Sequence, residues 1–198
     1  MNKQVIAIDI DDVLSSSATA FIEWSNVRFG TSLTHEDYHE HWAEMWKISL
    51  EEARKRSDEF HKSDVVSKHK LIDGAKEALE KLKNKFTLVL ITSRRMSLEK
   101  MTIDWIRTHY QDTFNDCIFA GFYDSRDIGG LKMTKANIAK NIKADYLIDD
   151  QLKHIEAAAE VGIQGLLFGN YKWNQKDLLH ENIVRVKDWK AVIKYFDL

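Results

Sequence analysis

The sequence predicts a Rossmann-like α/β fold, a parallel sheet in a three-layer α/β/α arrangement, with a small all-helical cap inserted after the first strand. Three observations predict it. Short apolar runs rich in Val, Ile, Leu and Phe recur along the 198 residues, amphipathic patterns with recognisable ends separate most of them, and residues 15–72 carry helical patterns but no strand. Strands that are apolar on both faces and alternate with helices belong to a parallel sheet covered on two sides.

The first strand is expected over residues 5–10, inside "VIAIDIDDVL", where Asp9, Asp11 and Asp12 crowd three carboxylates behind an apolar run. Three helices follow, in "SSATAFIEWSNVRF", "HEDYHEHWAEMW" and "SLEEARKRSDEFHK", the last opening on a capping box from Ser49 to Glu52. Residues 15–17 and 63–70 are the expected hinges, so the core comprises 1–14 and 73–198 and the cap 15–72. Asp73 then caps a helix in "GAKEALEKLKNK", 86–92 form a strand, and Ser97 caps a helix in "LEKMTIDWIRTHY". A strand over 117–120, a helix starting behind Thr134, a strand over 146–148, a helix closed by Gly162 and strands over 165–168 and 183–186 complete the pattern.

Composition narrows the possible roles. With 29 basic and 31 acidic residues and a formal charge of −2, the chain has no excess of basic charge to grip a nucleic-acid polymer. No apolar run reaches the ~18 residues of a membrane helix, and the first four residues lead directly into a strand, so neither anchor nor leader is expected. The single cysteine, Cys117, excludes an internal disulfide and fits a reducing compartment, hence a cytoplasmic location; within its apolar run it reads as an inert buried thiol. Proline is absent, leaving turns to Gly, Asn, Asp and Ser.

Ligands of open parallel sheets bind beyond the carboxyl ends of the strands. The residues there are Asp9, Asp11 and Asp12; Thr92, Ser93, Arg94 and Arg95; Gly121; Asp149 and Asp150; and Gly169 and Asn170. Carboxylates from the first and fourth strands would converge, and their repulsion calls for a hard divalent cation, a shared proton or both. Magnesium suits oxygen ligands and binds phosphate, whereas zinc would want His or Cys that these strand ends lack. Hydroxyls and amides at Thr92 and Ser93, with a lysine from the turn at 132–135, add donors suited to a phosphate. A carboxylate beside such a phosphate can attack it, and a second acid two residues on, as Asp11 is from Asp9, can protonate the leaving oxygen and then activate water.

"DIDDV", "LVLITS", a lysine and "DYLIDD", in this order and over nearly the whole chain, resemble the motif series of the haloacid dehalogenase-like superfamily of phosphatases. The resemblance implies Asp9 as nucleophile, Asp11 as general acid/base and main-chain carbonyl ligand of magnesium, and Thr92 as phosphate-binding hydroxyl with Ser93 beside it. It further implies Lys135 as the neutralising lysine, Asp150 as direct metal ligand and Asp149 as supporting acid. Lys132 and Lys140 also lie within reach of the motif, and Lys135 is preferred because it follows the N-cap Thr134. The inserted helices match the mobile cap of many members. "LIDGAKEALEKLKNKFTLVLITSR" and "AAAEVGIQGLLFGNYKWNQ", with Trp173 and Asn174, are most similar to the 5′(3′)-deoxyribonucleotidase group, although "GNYKWN" lacks that group's acid and proline, and Ser15–Ser17 replace an aromatic.

The expected activity is magnesium-dependent hydrolysis of a small soluble phosphomonoester through an aspartyl-phosphate, with a (deoxy)nucleoside monophosphate as a candidate substrate. The alternatives are a non-catalytic phosphate- or nucleotide-binding relative, a phosphotransferase, and a phospho-receiver domain, which lacks a helical insertion. Oligomeric state is not legible. His35 and His39, four apart on a predicted helix, read as a solvated face rather than a metal site, and Phe21, Trp24, Tyr38, Trp42 and Trp46 as cap core with one or two facing substrate. Arg94 and Arg95 are balanced between a second substrate anion and a surface ion pair.

Overall fold

The structure, a computed structural model, describes residues 3–120 and 134–198. The expected strand-end residue Gly121 and the alternative Lys132 lie outside the described residues. Six strands, β1 (Val5–Ile8), β2 (Thr87–Thr92), β3 (Asp116–Phe119), β4 (Tyr146–Asp149), β5 (Gln164–Phe168) and β6 (Ile183–Val186), form one sheet in the order β3-β2-β1-β4-β5-β6. Every neighbouring pair is parallel. The order runs outward in both directions from β1, so the crossovers reverse between β1 and β4, where open sheets of this kind form a crevice at their carboxyl ends.

Alternation along β1 sends Ile6 and Ile8 to one face and Ala7 to the other. The first face is covered by α4 (Ala75–Lys85), α5 (Glu99–His109) and α8 (Trp189–Tyr195), whose Leu79, Leu82, Trp105, Trp189 and Val192 pack on Ile6, Ile8, Leu88 and Leu90. The second is covered by α6 (Lys135–Asn141) and α7 (Leu152–Glu160), whose Ile138, Ala139, Ile155 and Ala158 meet Ala7, Ile91, Leu147 and Leu167. Burial of both faces explains the continuous rather than alternating apolar runs.

Between β1 and β2 lie α1 (Ser17–Phe29), α2 (Trp42–Trp46) and α3 (Leu50–Lys62), with an apolar cluster of their own built on Phe21, Met45, Trp46, Ala53, Phe60 and Val66. The chain enters and leaves this insertion along two linkers that pair with one another. Ser16 N–H donates to Lys70 C=O at 2.8 Å, Ile72 N–H to Leu14 C=O at 2.9 Å, and Ser15 bridges Leu71.

Several boundaries differ from expectation. β1 ends at Ile8 because Asp9 N–H makes the last rung, to Ile148 C=O at 2.9 Å, before the chain turns away. The helix expected across "HEDYHEHWAEMW" is confined to α2; Asp37 accepts from both Thr34 N–H (2.9 Å) and Thr34 Oγ1 (2.7 Å), a local turn that competes with helix. His35 and His39 therefore do not share a helical face, and His35 Nε2 pairs instead with Thr19 Oγ1. α4 is preceded by Gly74 at φ +78° rather than capped by Asp73, and a 3₁₀ turn, Met96–Leu98, occupies the place of the Ser97 cap before α5. α8, not anticipated, is capped by Asp188, which accepts from Ala191 N–H at 2.8 Å. Cys117 is half-buried, and burial pushes its thiol up to about 12.

Candidate active site

The carboxyl ends of β1, β2 and β4, the start of α6 and the inner side of the insertion enclose a cavity of about 440 Å³. Thr134 caps α6 by accepting from Asn137 N–H at 3.1 Å, which fixes the first turn and carries Lys135 into the interior. Lys135 Nζ lies 2.7 Å from Asp9 Oδ1 and 2.7 Å from Asp149 Oδ2, with all three side chains almost fully buried. Lys140, at the opposite end of α6, is exposed.

Asp149 is fully buried and also accepts from Gln151 N–H at 2.8 Å, with His154 Nδ1 at 3.2 Å. Burial alone would raise its pKa, but Lys135 and then His154 hold it well below the usual carboxylate range. Asp150 faces the opposite situation. It borders the cavity and accepts from Gln151 Nε2 (2.8 Å) and Trp173 Nε1 (2.6 Å), both neutral donors, so burial and the charge of Asp149 push it well above the carboxylate range. Burial likewise raises Asp9 against the opposing pull of Lys135.

Atoms of Asp9, Asp149 and Asp150 able to bind a metal lie within 4.8 Å of one another. One ammonium among three buried carboxylates leaves two negative charges without a counter-charge, and the donors are oxygens, with no cysteine in the set. Both facts fit a small hard divalent cation.

Thr92, at the end of β2, is fully buried, and its Oγ1 accepts from Arg94 N–H at 3.1 Å. Of the two hydroxyl residues there, Ser93 borders the cavity, and its buried Oγ has no partner among the described residues. Asp12 caps the insertion: it adopts φ +55°, takes Ala18 N–H at 3.1 Å and Ser17 Oγ at 2.9 Å, and so belongs to the turn.

Arg94 turns inward and is 7% exposed, so it makes no surface ion pair, although it borders the cavity. Its Nε and Nη2 donate three hydrogen bonds to Asp11 at 2.7–3.2 Å, while Nη2 also reaches Ser15 Oγ and Nη1 Thr102 Oγ1, each at 3.2 Å. Against burial, which would raise it, Arg94 holds the Asp11 carboxyl well below its ordinary value. Arg95 makes the surface pair, with Asp58 of α3 at 2.7 Å. The one sign of Arg94 in the sequence is its position two residues beyond Thr92.

Aromatic side chains close the far wall. Phe21, Tyr38, Trp42 and Phe60 from the insertion border the cavity, with Trp173 from the core. Trp173 stacks on Tyr171 at 4.5 Å and meets Tyr38 edge-on at 5.1 Å. Gly169, at φ +79°, makes room for the Tyr171 ring, which a Cβ there would meet at 2.2 Å; Tyr171 then donates to Asp12 C=O at 2.8 Å. Asn174 Nδ2 donates to Asp150 C=O (3.0 Å) and Phe168 C=O (2.9 Å), anchoring the turn.

The profile of the family described as 5′ nucleotidase, deoxy (pyrimidine), cytosolic type C protein matches residues 3–196. The chain belongs to this family. It is a 5′-nucleotidase-like hydrolase of the haloacid dehalogenase-like phosphatases. It is 26% identical to a nucleotidase of Clostridium acetobutylicum, covering 100% of this chain and 95% of that one. A haloacid dehalogenase-like family hydrolase from Streptococcus pneumoniae shares the fold with a TM-score of 0.72 and 17% identity over 98% of both chains. YfnB from Bacillus subtilis, in a form bound to magnesium, does so with a TM-score of 0.64 and 12% identity over the whole of both chains. Among the described residues no helix is long and apolar enough to cross a membrane.

Proposed function

We propose that this hydrolase is a magnesium-dependent phosphomonoesterase that works through an aspartyl-phosphate on Asp9, with a nucleoside monophosphate as substrate. The observation that carries the reading is the placement of Lys135 between Asp9 and Asp149 at the wall of a cavity that Ser93 and Asp150 also border. Asp9 and Asp150 carboxylates and the Asp11 carbonyl would hold the cation, whose charge would offset theirs and polarise the phosphate.

Lys135 keeps Asp9 oriented and shares its charge. Thr92 and Ser93 offer donors to the phosphate oxygens, the unpartnered Ser93 hydroxyl first. Asp9 attacks phosphorus, the bond to the alkoxide breaks, and Asp11 gives that oxygen its proton. The carboxylate so formed takes a proton from the water that cleaves the acyl-phosphate. Bound to Arg94, Asp11 is in this second, basic form.

We read residues 15–72 as a cap over a core of 1–14 and 73–198, since the insertion has its own apolar cluster and joins the core through paired linkers. Its aromatic wall suits a planar base, which supports the nucleotide over a plain sugar phosphate. The test is Asp9→Asn assayed on an aryl phosphate with magnesium: turnover should disappear while the fold remains, and retained turnover overturns the mechanism. A panel of nucleoside monophosphates against sugar phosphates tests the substrate.

A further inference from the structure

His69 stands in the second linker between insertion and core, 4% exposed, and borders the same cavity as Asp9, Asp11 and Arg94. Its main-chain carbonyl accepts from Trp105 Nε1 at 3.0 Å, which pins the residue against α5. Its two ring nitrogens are employed differently. Nδ1 lies 3.4 Å from Arg94 Nη2, and a guanidinium has donors only, so Nδ1 is the bare, accepting nitrogen. The ring proton therefore sits on Nε2.

Nε2 is buried, and no hydrogen-bond partner meets it among the described residues. Buried donors without partners are rare and call for a ligand, a water or a strain account. Burial, and then the Arg94 charge, lower the ring to about 4, so it offers a neutral donor near pH 7. Arg94 Nη2 joins His69 and Asp11 at one point, being 2.7 Å from Asp11 Oδ1. Through Nδ1 the His69 ring is tied to the Arg94–Asp11 pair at the cavity wall, while Lys135 is paired with Asp9 and Asp149.

We propose that His69 is a specificity-determining residue whose Nε2–H donates to an uncharged acceptor, an oxygen or a ring nitrogen, on the alcohol part of the phosphate ester. This rests on the reading of Asp11 as the acid that serves the leaving oxygen, because that reading puts the alcohol on the Asp11 side. The substrates favoured are esters of sugars and nucleosides over those of plain aryl or alkyl alcohols. A neutral donor suits such an acceptor, whereas the hydroxyls of Thr92 and Ser93 are the donors read as serving the phosphate.

The test compares kcat/KM on phenyl phosphate, which carries no further acceptor, with that on deoxyribose 5-phosphate and deoxyuridine monophosphate, all with magnesium. His69→Leu should lose about tenfold or more on the two oxygen-rich esters and stay within about threefold on phenyl phosphate. His69→Gln, which retains an N–H donor, should recover part of the loss. Equal losses on all substrates, or none on any, overturn the proposal. Nitrogen-15 spectra of the imidazoles in full-length Asp9→Asn protein decide the matter independently of variant folding. The expected result is the Nε2–H tautomer, with a His69 resonance moved by deoxyuridine monophosphate but not by inorganic phosphate; the Nδ1–H tautomer, or equal movement with phosphate, overturns it. Absence of turnover in the natural protein would defeat the catalytic reading while these spectra still judged His69.

Discussion

Asp11 and Arg94, 83 residues apart in the chain, are joined by three hydrogen bonds, with the guanidinium buried and the carboxylate about one-third exposed. A guanidinium taken from water is stabilised only by what it meets, and Arg94 meets Asp11, Ser15, His69 and Thr102. Arg94→Met should therefore destabilise the fold by about 2 kcal/mol, less than a fully buried pair because Asp11 retains solvent. Urea unfolding followed by tryptophan fluorescence measures this, and an unchanged midpoint would show that the pair contributes nothing.

Magnesium should stabilise the folded protein. At a hundredfold excess over Kd, linkage gives about 2.7 kcal/mol, or roughly 5–10 °C for a chain of this size. Asp150→Asn should abolish the increase, while Thr92→Val should keep it, since Thr92 is assigned to phosphate rather than metal. Thermal scans with and without chelator provide the comparison.

Trp173→Phe preserves the ring that stacks on Tyr171 but removes the indole N–H that Asp150 accepts at 2.6 Å. The lost contact orients a carboxylate of the proposed metal site, and such losses weaken metal affinity about tenfold or more. Activity titrated against magnesium should shift its midpoint by that factor with its plateau little altered.

His61 of α3 lies against Trp42, their rings stacked at 5.7 Å, and burial, then the charge of Arg95, lowers it to about 4. In the unfolded chain the same ring takes its proton near pH 6.5. Between these values the unfolded state binds more protons, so the stability that His61 contributes is whole above pH 6.5 and is lost as pH falls towards 4. The raised carboxyls of Asp9 and Asp12 act in the opposite sense, which makes a difference measurement necessary. The stability gap between the natural protein and His61→Gln should narrow from pH 7 to pH 4.5; a constant gap would mean that His61 titrates alike in both states.

What the sequence disclosed followed from local patterns. Apolar runs marked the six strands among the described residues, most continuously in β2 and β5, where burial on both faces leaves an unbroken signal, and Thr134 pointed to Lys135 because an N-cap decides which side chain opens a helix. Features made by partners distant in sequence stayed hidden. Nothing beside Arg94 announces that Asp11 waits 83 residues upstream, and nothing in "VSKHKLI" shows that His69 shares that guanidinium. The misplaced helix over 35–41 has another origin: its apolar and aromatic spacing suited a helix, but the Thr34–Asp37 turn satisfies the backbone first. α8 went unseen although Asp188 marks its start.

The pairing of the two linkers has a consequence for how the site is divided. Because Ile72 N–H already meets Leu14 C=O at 2.9 Å, the two linkers are joined to each other at the base of the insertion, beyond the strands β1 and β2. The β1–β2 register, from Val5 opposite Thr87 to Ile8 opposite Leu90, involves no residue of the insertion. The acids Asp9 and Asp150 thus stand on the core, while the aromatic wall is shared between the insertion, through Phe21, Tyr38, Trp42 and Phe60, and the core, through Trp173.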